Sequence, residues 1–276
     1  KYKVEVRINP TDKTLTFIDN GIGMTEDEVD EYINQIAFSG AAAFMEQYKD
    51  KASDEQIIGH FGLGFYSAFM VADKVTIDTL SYKEGATPVH WECDGGTEFD
   101  MEDGDKAERG TTITLYLNDE SYEFCNEYRC REVLNKYCSF MPVEIYFVNE
   151  EEEAKKAEEA AKKDAEEKVI DVDVKDADAK ENNADTEDGD SEVTLEEEEE
   201  EEDDAPKPIN QIHPLWTKHP NDCTDEEYKE FYRDVFHDYK EPLFWIHLNM
   251  DYPFNLKGIL YFPKINTEYE SIEGTI

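Results

Sequence analysis

The chain has 276 residues, of which 69 are acidic and 27 are basic, giving a formal net charge of -42 at pH 7. This balance excludes general nucleic-acid binding and adsorption to anionic membranes, because both require a positive patch. No apolar run reaches membrane-spanning length, and no signal peptide is visible. The five cysteines form no CxxC pair and the six histidines are scattered, so neither predicts a zinc site, a disulfide or a catalytic triad.

The first elements are predicted to be a hairpin and a helix. "VEVRI" and "LTFI" alternate apolar and polar residues on either side of the turn "NPTDK", which is typical of two paired strands. In "TEDEVDEYINQIAF", Thr25 and Glu28 match a capping box. Apolar residues then recur at helical spacing, which predicts a helix whose apolar face contains Val29, Tyr32, Ile33, Ile36 and Ala37.

The following segment, up to about residue 149, again alternates strands and helices. "GHFGLGFYSAFMVADKVTIDTL" predicts a glycine-rich turn, a short helix and a strand. "GTTITLYL" and "PVEIYFV" predict two more strands, and "EFCNEYRCREVLNKYCSFM" between them predicts a helix. Hairpin-linked strands interleaved with helices predict an α+β fold, a two-layer sandwich with helices on one face of a mixed sheet.

Residues 150–207 have a different composition. Between residues 150 and 204 there are 28 acidic residues, 7 lysines and no aromatic residue. Such a segment cannot bury enough apolar surface to offset the entropy lost on ordering, so we expect a disordered or transiently helical linker. A functional acidic tail that binds basic partners is the alternative.

Residues 208–276 are predicted to start a second domain. "TDEEYKEFYRDVFHDY" contains a capping box, Thr224 with Glu227, followed by apolar residues at helical spacing. The predicted apolar face contains Tyr228, Phe231, Tyr232, Val235, Phe236 and Tyr239. "LFWIHLNM" and "LKGILYFP" predict two paired strands.

Two glycine-rich stretches contain the candidate functional residues. "DNGIGM" places Asp19 beside Gly21 and Gly23 between a strand and a capped helix, a pattern that is also common in ordinary tight turns. In "GHFGLGF", the residues Gly62, Leu63, Gly64 and Phe65 can present successive backbone N–H groups to an anion. Neither stretch contains a lysine or an arginine.

Together the two stretches predict a nucleotide site. If the second loop holds the phosphates, the Asp19 carboxylate can accept a hydrogen bond from the exocyclic amine of adenine. Guanine has a carbonyl oxygen at that edge, and two facing acceptors repel, so the site should select ATP over GTP. In "RGTTI", the Thr111 hydroxyl can support Asp19 or a bound water.

The ordered motifs resemble those of the GHKL ATPase superfamily. "DNGIGMT", "IGHFGLGFYSAFMVADKV" and "RGTTITLYL" are similar to the heat-shock protein 90 chaperone family, in particular its bacterial, high-temperature protein G type. "PLWTKHPNDCTDEEYKEFY" is similar to the start of that family's middle domain, which disfavours a histidine kinase. The resemblance implies an ATP-binding domain at 1–149 without its first helix, an acidic linker at 150–207, and the beginning of a middle domain at 208–276.

The resemblance also implies residue roles and partners. Asp19 would bind the adenine amine, the turn from Gly62 to Phe65 would hold the phosphates, and residues 39–56 would correspond to a lid. The implied ATP-binding residues are Asp19, Gly23, Met24, Ile33, Gly62, Leu63, Gly64, Phe65, Thr111 and Ile113. Implied for the intact protein are ATP and Mg2+ as cofactors, a homodimer, unfolded or partly folded client proteins, and a cytoplasmic location.

Two departures from the family pattern limit these implications. Phe38 stands where the family commonly has a phosphate-contacting lysine. The catalytic glutamate and the magnesium-binding asparagine of the family are expected upstream of Lys1, so we expect no ATP hydrolysis by this chain alone. The alternative is a non-catalytic nucleotide-binding or interaction module with an acidic recruiting segment.

Overall fold

The computed structural model describes residues 1–35, 62–96, 98–158, 206–250 and 256–264. The chain divides into two compact units. The first unit comprises residues 1–134 and 145–209, and the second comprises residues 135–144 and 210–276. The boundaries at 149 and 207 that the sequence suggests stay predictions.

A seven-stranded sheet forms the first unit. Its strands in chain order are β1 (Lys3–Asn9), β2 (Thr14–Asp19), β3 (Ala72–Leu80), β4 (Val89–Cys93), β5 (Asp100–Asp103), β6 (Gly110–Leu117) and β7 (Glu144–Asn149). Their order across the sheet is β5-β4-β3-β6-β2-β1-β7. The predicted α+β class with a mixed sheet is confirmed. Strands β4 and β5 were not predicted, although Val89, Trp91 and Cys93 alternate with polar residues in β4.

The register of the central strands separates an apolar face from a polar face. One row of paired residues across the sheet contains Phe17, Ile113, Ile77 and Trp91. The buried Val75 and Leu115 lie on the same face, two residues away along β3 and β6. The next row on the opposite face consists of threonines and charged residues, namely Arg7, Thr16, Thr114, Thr76 and Glu92. The core therefore lies on the first face, which also carries Asp19 at the end of β2.

Helix α1 (Glu26–Tyr32) begins at the predicted capping box and ends earlier than the periodicity indicates. Thr25 and Glu28 each accept the other's backbone N–H, as predicted. Ile33 is already the C-cap, and the side chain of the following Asn34 accepts a hydrogen bond from Trp91 Nε1 at 2.9 Å. This tertiary contact joins the end of α1 to β4. Ile36, Ala37 and Phe38 lie outside the described residues.

The segment before β7 is helical as predicted, but it forms two elements. A 3-10 helix (Asp119–Cys125) comes first, and α2 (Glu127–Cys138) follows it. After β7, residues 150–158 are helical, although they belong to the acidic segment. Arg7 Nη1 lies 3.1 Å from Glu153 Oε2, and Asn9 donates to Glu150 at 3.0 Å. These contacts with β1 give the start of the acidic segment a fixed position. Residues 159–205 lie outside the described residues.

The second unit contains α3 (Asp225–Phe236), β8 (Phe244–Met250) and β9 (Leu256–Phe262), with β8 and β9 antiparallel as predicted. Its buried residues include Leu215, Tyr228 and Phe231. The prediction that Tyr239 joins the apolar face is wrong, because His237 adopts a left-handed conformation and ends α3. Tyr239 is 93% exposed. Among the helices in the described part of the chain, none has the length and apolar character to cross a bilayer.

Candidate functional site

Asp19 is held at the end of β2 by two backbone groups. Its Oδ1 accepts the N–H of Gly21 at 2.8 Å, which closes the local turn that aspartate favours. The same oxygen accepts the N–H of Thr111 at 3.3 Å, because Asp19 and Thr111 face each other in the β2–β6 register. No described residue donates to the second carboxylate oxygen, Oδ2. The turn therefore fixes the carboxylate and leaves one oxygen for a ligand.

Two details of the predicted arrangement differ from the structure. Asp19 is partly buried rather than buried. Thr111 supports Asp19 through its backbone N–H, while its hydroxyl lies 3.1 Å from the hydroxyl of Thr79. The hydroxyl role predicted for Thr111 toward Asp19 is therefore wrong in this structure.

Thr79 is a site residue that none of the sequence motifs predicted. It lies on β3 opposite Thr111 and is fully buried, with 0% exposure. Its hydroxyl accepts the N–H of Met24 at 2.9 Å and donates to the carbonyl of Gly110 at 3.2 Å. A threonine among apolar residues on the core face of a strand was the available signal, because a buried hydroxyl needs partners.

Gly23 lies where only glycine fits. Its φ of +61° is in the left-handed region, and a Cβ would lie 1.9 Å from the carbonyl oxygen of Leu80. On either side of this close approach, Tyr82 donates to the carbonyl of Ile22 at 2.7 Å and Met24 donates to Thr79. The loop after Asp19 is thereby pressed against the end of β3.

Glu28 joins the start of α1 to the turn after β3. It accepts the backbone N–H of Thr25 at 2.9 Å, and Lys83 Nζ lies 2.8 Å from its other oxygen. Burial raises the pKa of Glu28, but the hydrogen bonds from Lys83 and Thr25 outweigh this effect and hold its pKa below 4.5. The ionised form is thus the one that fixes the loop leading from Asp19 to α1.

We expect Glu28→Gln to lower the free energy of unfolding by about 1 kcal/mol at neutral pH, since glutamine keeps the cap and loses the charge. Because the folded-state pKa is depressed, this contribution is complete above pH 4.5 and is lost as the pH falls through the folded-state value. Scanning calorimetry at several pH values measures it. Glu26→Gln is the matched control, because Glu26 is an exposed acidic residue in the same first turn of α1. A difference that persists unchanged at acidic pH contradicts the assignment.

The predicted phosphate turn is open to solvent. Gly62 has a φ of +63°, Leu63 is 51% exposed, and no atom lies within 4 Å of a Cβ placed on Gly64. The helix that follows, Gly64–Met70, is a 3-10 helix of seven residues. The predicted short helix is present, but it is too short and tightly wound to supply the dipole of a long α-helix. Any anion here would depend on local backbone N–H groups.

Side chains connect this turn with the end of α1. The hydroxyl of Tyr66 donates to the carbonyl of Ile33 at 2.6 Å. The ring of Phe65 packs edge-on against Trp91 at 5.7 Å between centroids, and Trp91 in turn donates to Asn34. The structure thus brings Ile33 and the Gly62–Phe65 turn close together.

The remaining predicted residues divide by position. Ile113 lies two residues beyond Thr111 on the same face of β6, in register with Phe17 and Ile77. The structure therefore brings together Asp19, Gly23, Met24 and Thr111, with Ile113 beside them. The segment 39–56 lies outside the described residues.

Comparisons with known proteins agree with these motifs. The family model described as "Hsp90 protein" matches residues 123–274. The model described as "Histidine kinase-, DNA gyrase B-, and HSP90-like ATPase" matches residues 1–97, which include Asp19 and the Gly62–Phe65 turn.

Curated relatives match most of the chain. Chaperone protein htpG of Bacteroides fragilis strain YCH46 is 47% identical over 257 residues, which are 93% of this chain and 31% of the relative. Chaperone protein HtpG of Porphyromonas gingivalis strain W83 is 44% identical over 268 residues, 97% of this chain and 33% of the relative. Chaperone protein HtpG of Escherichia coli O1:K1 / APEC is 36% identical over a match that covers 95% of this chain and 35% of the relative.

The chain spans about a third of the length of these relatives. Because one family model matches more than half of its residues and a second covers the strand, turn and helix around Asp19, the chain belongs to the Hsp90 family.

Proposed function

We propose that the first unit binds ATP and that the full-length protein is an ATP-dependent chaperone. In this proposal it acts as a cytoplasmic homodimer on unfolded or partly folded client proteins. The observation that carries the nucleotide assignment is the geometry of Asp19, whose Oδ1 is saturated by two backbone N–H groups. Its Oδ2 stays available at the loop that Gly23 shapes. The relatives' printed name, chaperone protein, supports the role of the whole protein.

Recognition of adenine follows from the donor and acceptor pattern. A carboxylate oxygen is an acceptor only, so it pairs with the exocyclic amine of adenine and is repelled by the carbonyl oxygen of guanine. The apolar Ile113 and Ile33 would contact the faces of the base, while Met24 would border it. We propose that this combination selects ATP over GTP.

The phosphates would lie against the turn from Gly62 to Phe65. The open space at Gly64 and the left-handed Gly62 fit a group that approaches the backbone closely. Mg2+ would accompany the phosphates and neutralise their charge. We propose that its protein ligand and the general base for hydrolysis come from residues outside this chain, so that the chain binds ATP and does not hydrolyse it alone.

The proposal is tested by calorimetric titration of the full-length protein with ATP, followed by competition with GTP. We expect ATP to bind and GTP to compete at least roughly 100-fold more weakly, since a bound guanine would leave the ionised carboxylate facing a second acceptor, and a lost hydrogen bond to a charged group costs about 2–3 kcal/mol. Equal competition by GTP contradicts adenine recognition. Binding of neither nucleotide favours the alternative, an interaction module with an acidic recruiting segment.

A further inference from the structure

The hydroxyl of Thr79 has a complete set of hydrogen-bond partners. A threonine hydroxyl has one proton to donate and two lone pairs to accept with. Its proton goes to the carbonyl of Gly110, and one lone pair accepts the N–H of Met24. In the remaining contact, at 3.1 Å, either hydroxyl could donate. Because the carbonyl of Gly110 can only accept, the Thr79 proton is assigned to Gly110, and the Thr111 hydroxyl is then the donor to Thr79.

This arrangement determines what Thr111 can offer to a ligand. Since its proton points at Thr79, its oxygen has only lone pairs left for any group that reaches it. Asp19 Oδ2, on the neighbouring strand in the same cross-strand row, is also only an acceptor. The part of the site formed by Asp19 and Thr111 therefore accepts hydrogen bonds and donates none from its side chains.

We infer that Thr79 is a specificity-determining positioning residue for the proposed nucleotide site, because it holds the Thr111 proton away from the ligand. This inference rests on the proposed function and adds a residue that touches no ligand itself. An amine-bearing base edge finds two acceptors here. A carbonyl-bearing edge finds no donor as long as Thr79 holds that proton. Without the Thr79 hydroxyl, Thr111 can rotate and donate to such a carbonyl.

The test measures the affinities of the full-length protein for ATP and GTP by calorimetry in Thr79→Val. Valine keeps the branched shape and removes the hydroxyl. We expect ATP affinity to fall about tenfold while GTP affinity does not fall, so that the ATP-to-GTP ratio of affinities decreases about tenfold. Thr76→Val is the matched control, since Thr76 is buried on the same strand and faces the opposite side. It should leave the ratio unchanged.

One result overturns the inference while leaving the proposed function intact. It is an unchanged ATP-to-GTP ratio in Thr79→Val, whether the two affinities stay the same or fall by the same factor, and the latter indicates a structural role only. If Thr79→Val does not fold, Thr79→Ser and Thr79→Ala supply the same comparison, because they differ only in the hydroxyl oxygen. Serine should keep the parental ratio and alanine should lower it. Failure of the unmodified protein to bind ATP overturns the proposed function itself.

Discussion

Gly23→Ala is expected to destabilise the first unit by about 3 kcal/mol and to remove measurable ATP binding. Two costs add at this position. A side chain at a φ of +61° costs about 1–2 kcal/mol, and the new Cβ would lie 1.9 Å from the carbonyl oxygen of Leu80. Because the backbone fixes the position of the Cβ and Leu80 contributes a backbone oxygen, neither atom can rotate away and the loop itself must move. The N–H of Met24 then loses its position on Thr79.

Gly85→Ala separates the two costs. Gly85 has a φ of +78°, but no atom lies within 4 Å of its Cβ position. This variant should lose only about 1 kcal/mol and bind ATP normally. Thermal melting and calorimetry on both variants provide the comparison. Equal effects at the two glycines would show that the contact with Leu80 has no importance of its own.

The sequence predicted the elements around the site because their signals are local. The capping box at Thr25, the alternation in β6 and the turn after Asp19 each depend on residues within a few positions of one another. The nucleotide motifs are local as well, so the candidate residues could be named in order along the chain.

The features that the sequence did not predict depend on contacts between distant residues. Thr79 pairs with Thr111 only because β3 and β6 are neighbours, and no local pattern indicates that register. The contact at the end of α1 joins Asn34 to Trp91, which is 57 residues away. The ordered start of the acidic segment depends on Arg7 in β1. Composition allowed either disorder or transient helix for this segment, and it could not indicate the contacts with β1 that accompany the helix at residues 150–158.

Asp19→Ala is expected to lower the affinity for ATP about 100-fold. The variant removes the acceptor for the adenine amine, and a hydrogen bond to a charged group is worth about 1.5–3 kcal/mol. It also opens the local turn, since Oδ1 accepts the N–H of Gly21. The loss of the turn must therefore be measured separately.

Asp94→Ala is the control for the turn. Asp94 Oδ1 accepts the N–H of Gly96 at 2.9 Å, which is the same local bond that Asp19 makes with Gly21. Asp94 lies after β4, away from the Asp19–Thr111 row, and its side chain has no proposed role in binding. Its loss should cost no more stability than the loss of Asp19, which also accepts the N–H of Thr111, and should leave ATP affinity unchanged.

The most direct test is calorimetric titration of ATP into the full-length protein and into its Asp19→Ala and Asp94→Ala variants. We expect ATP binding by the unmodified protein and by Asp94→Ala, and affinity reduced about 100-fold in a folded Asp19→Ala. Unchanged ATP affinity in Asp19→Ala would contradict this expectation.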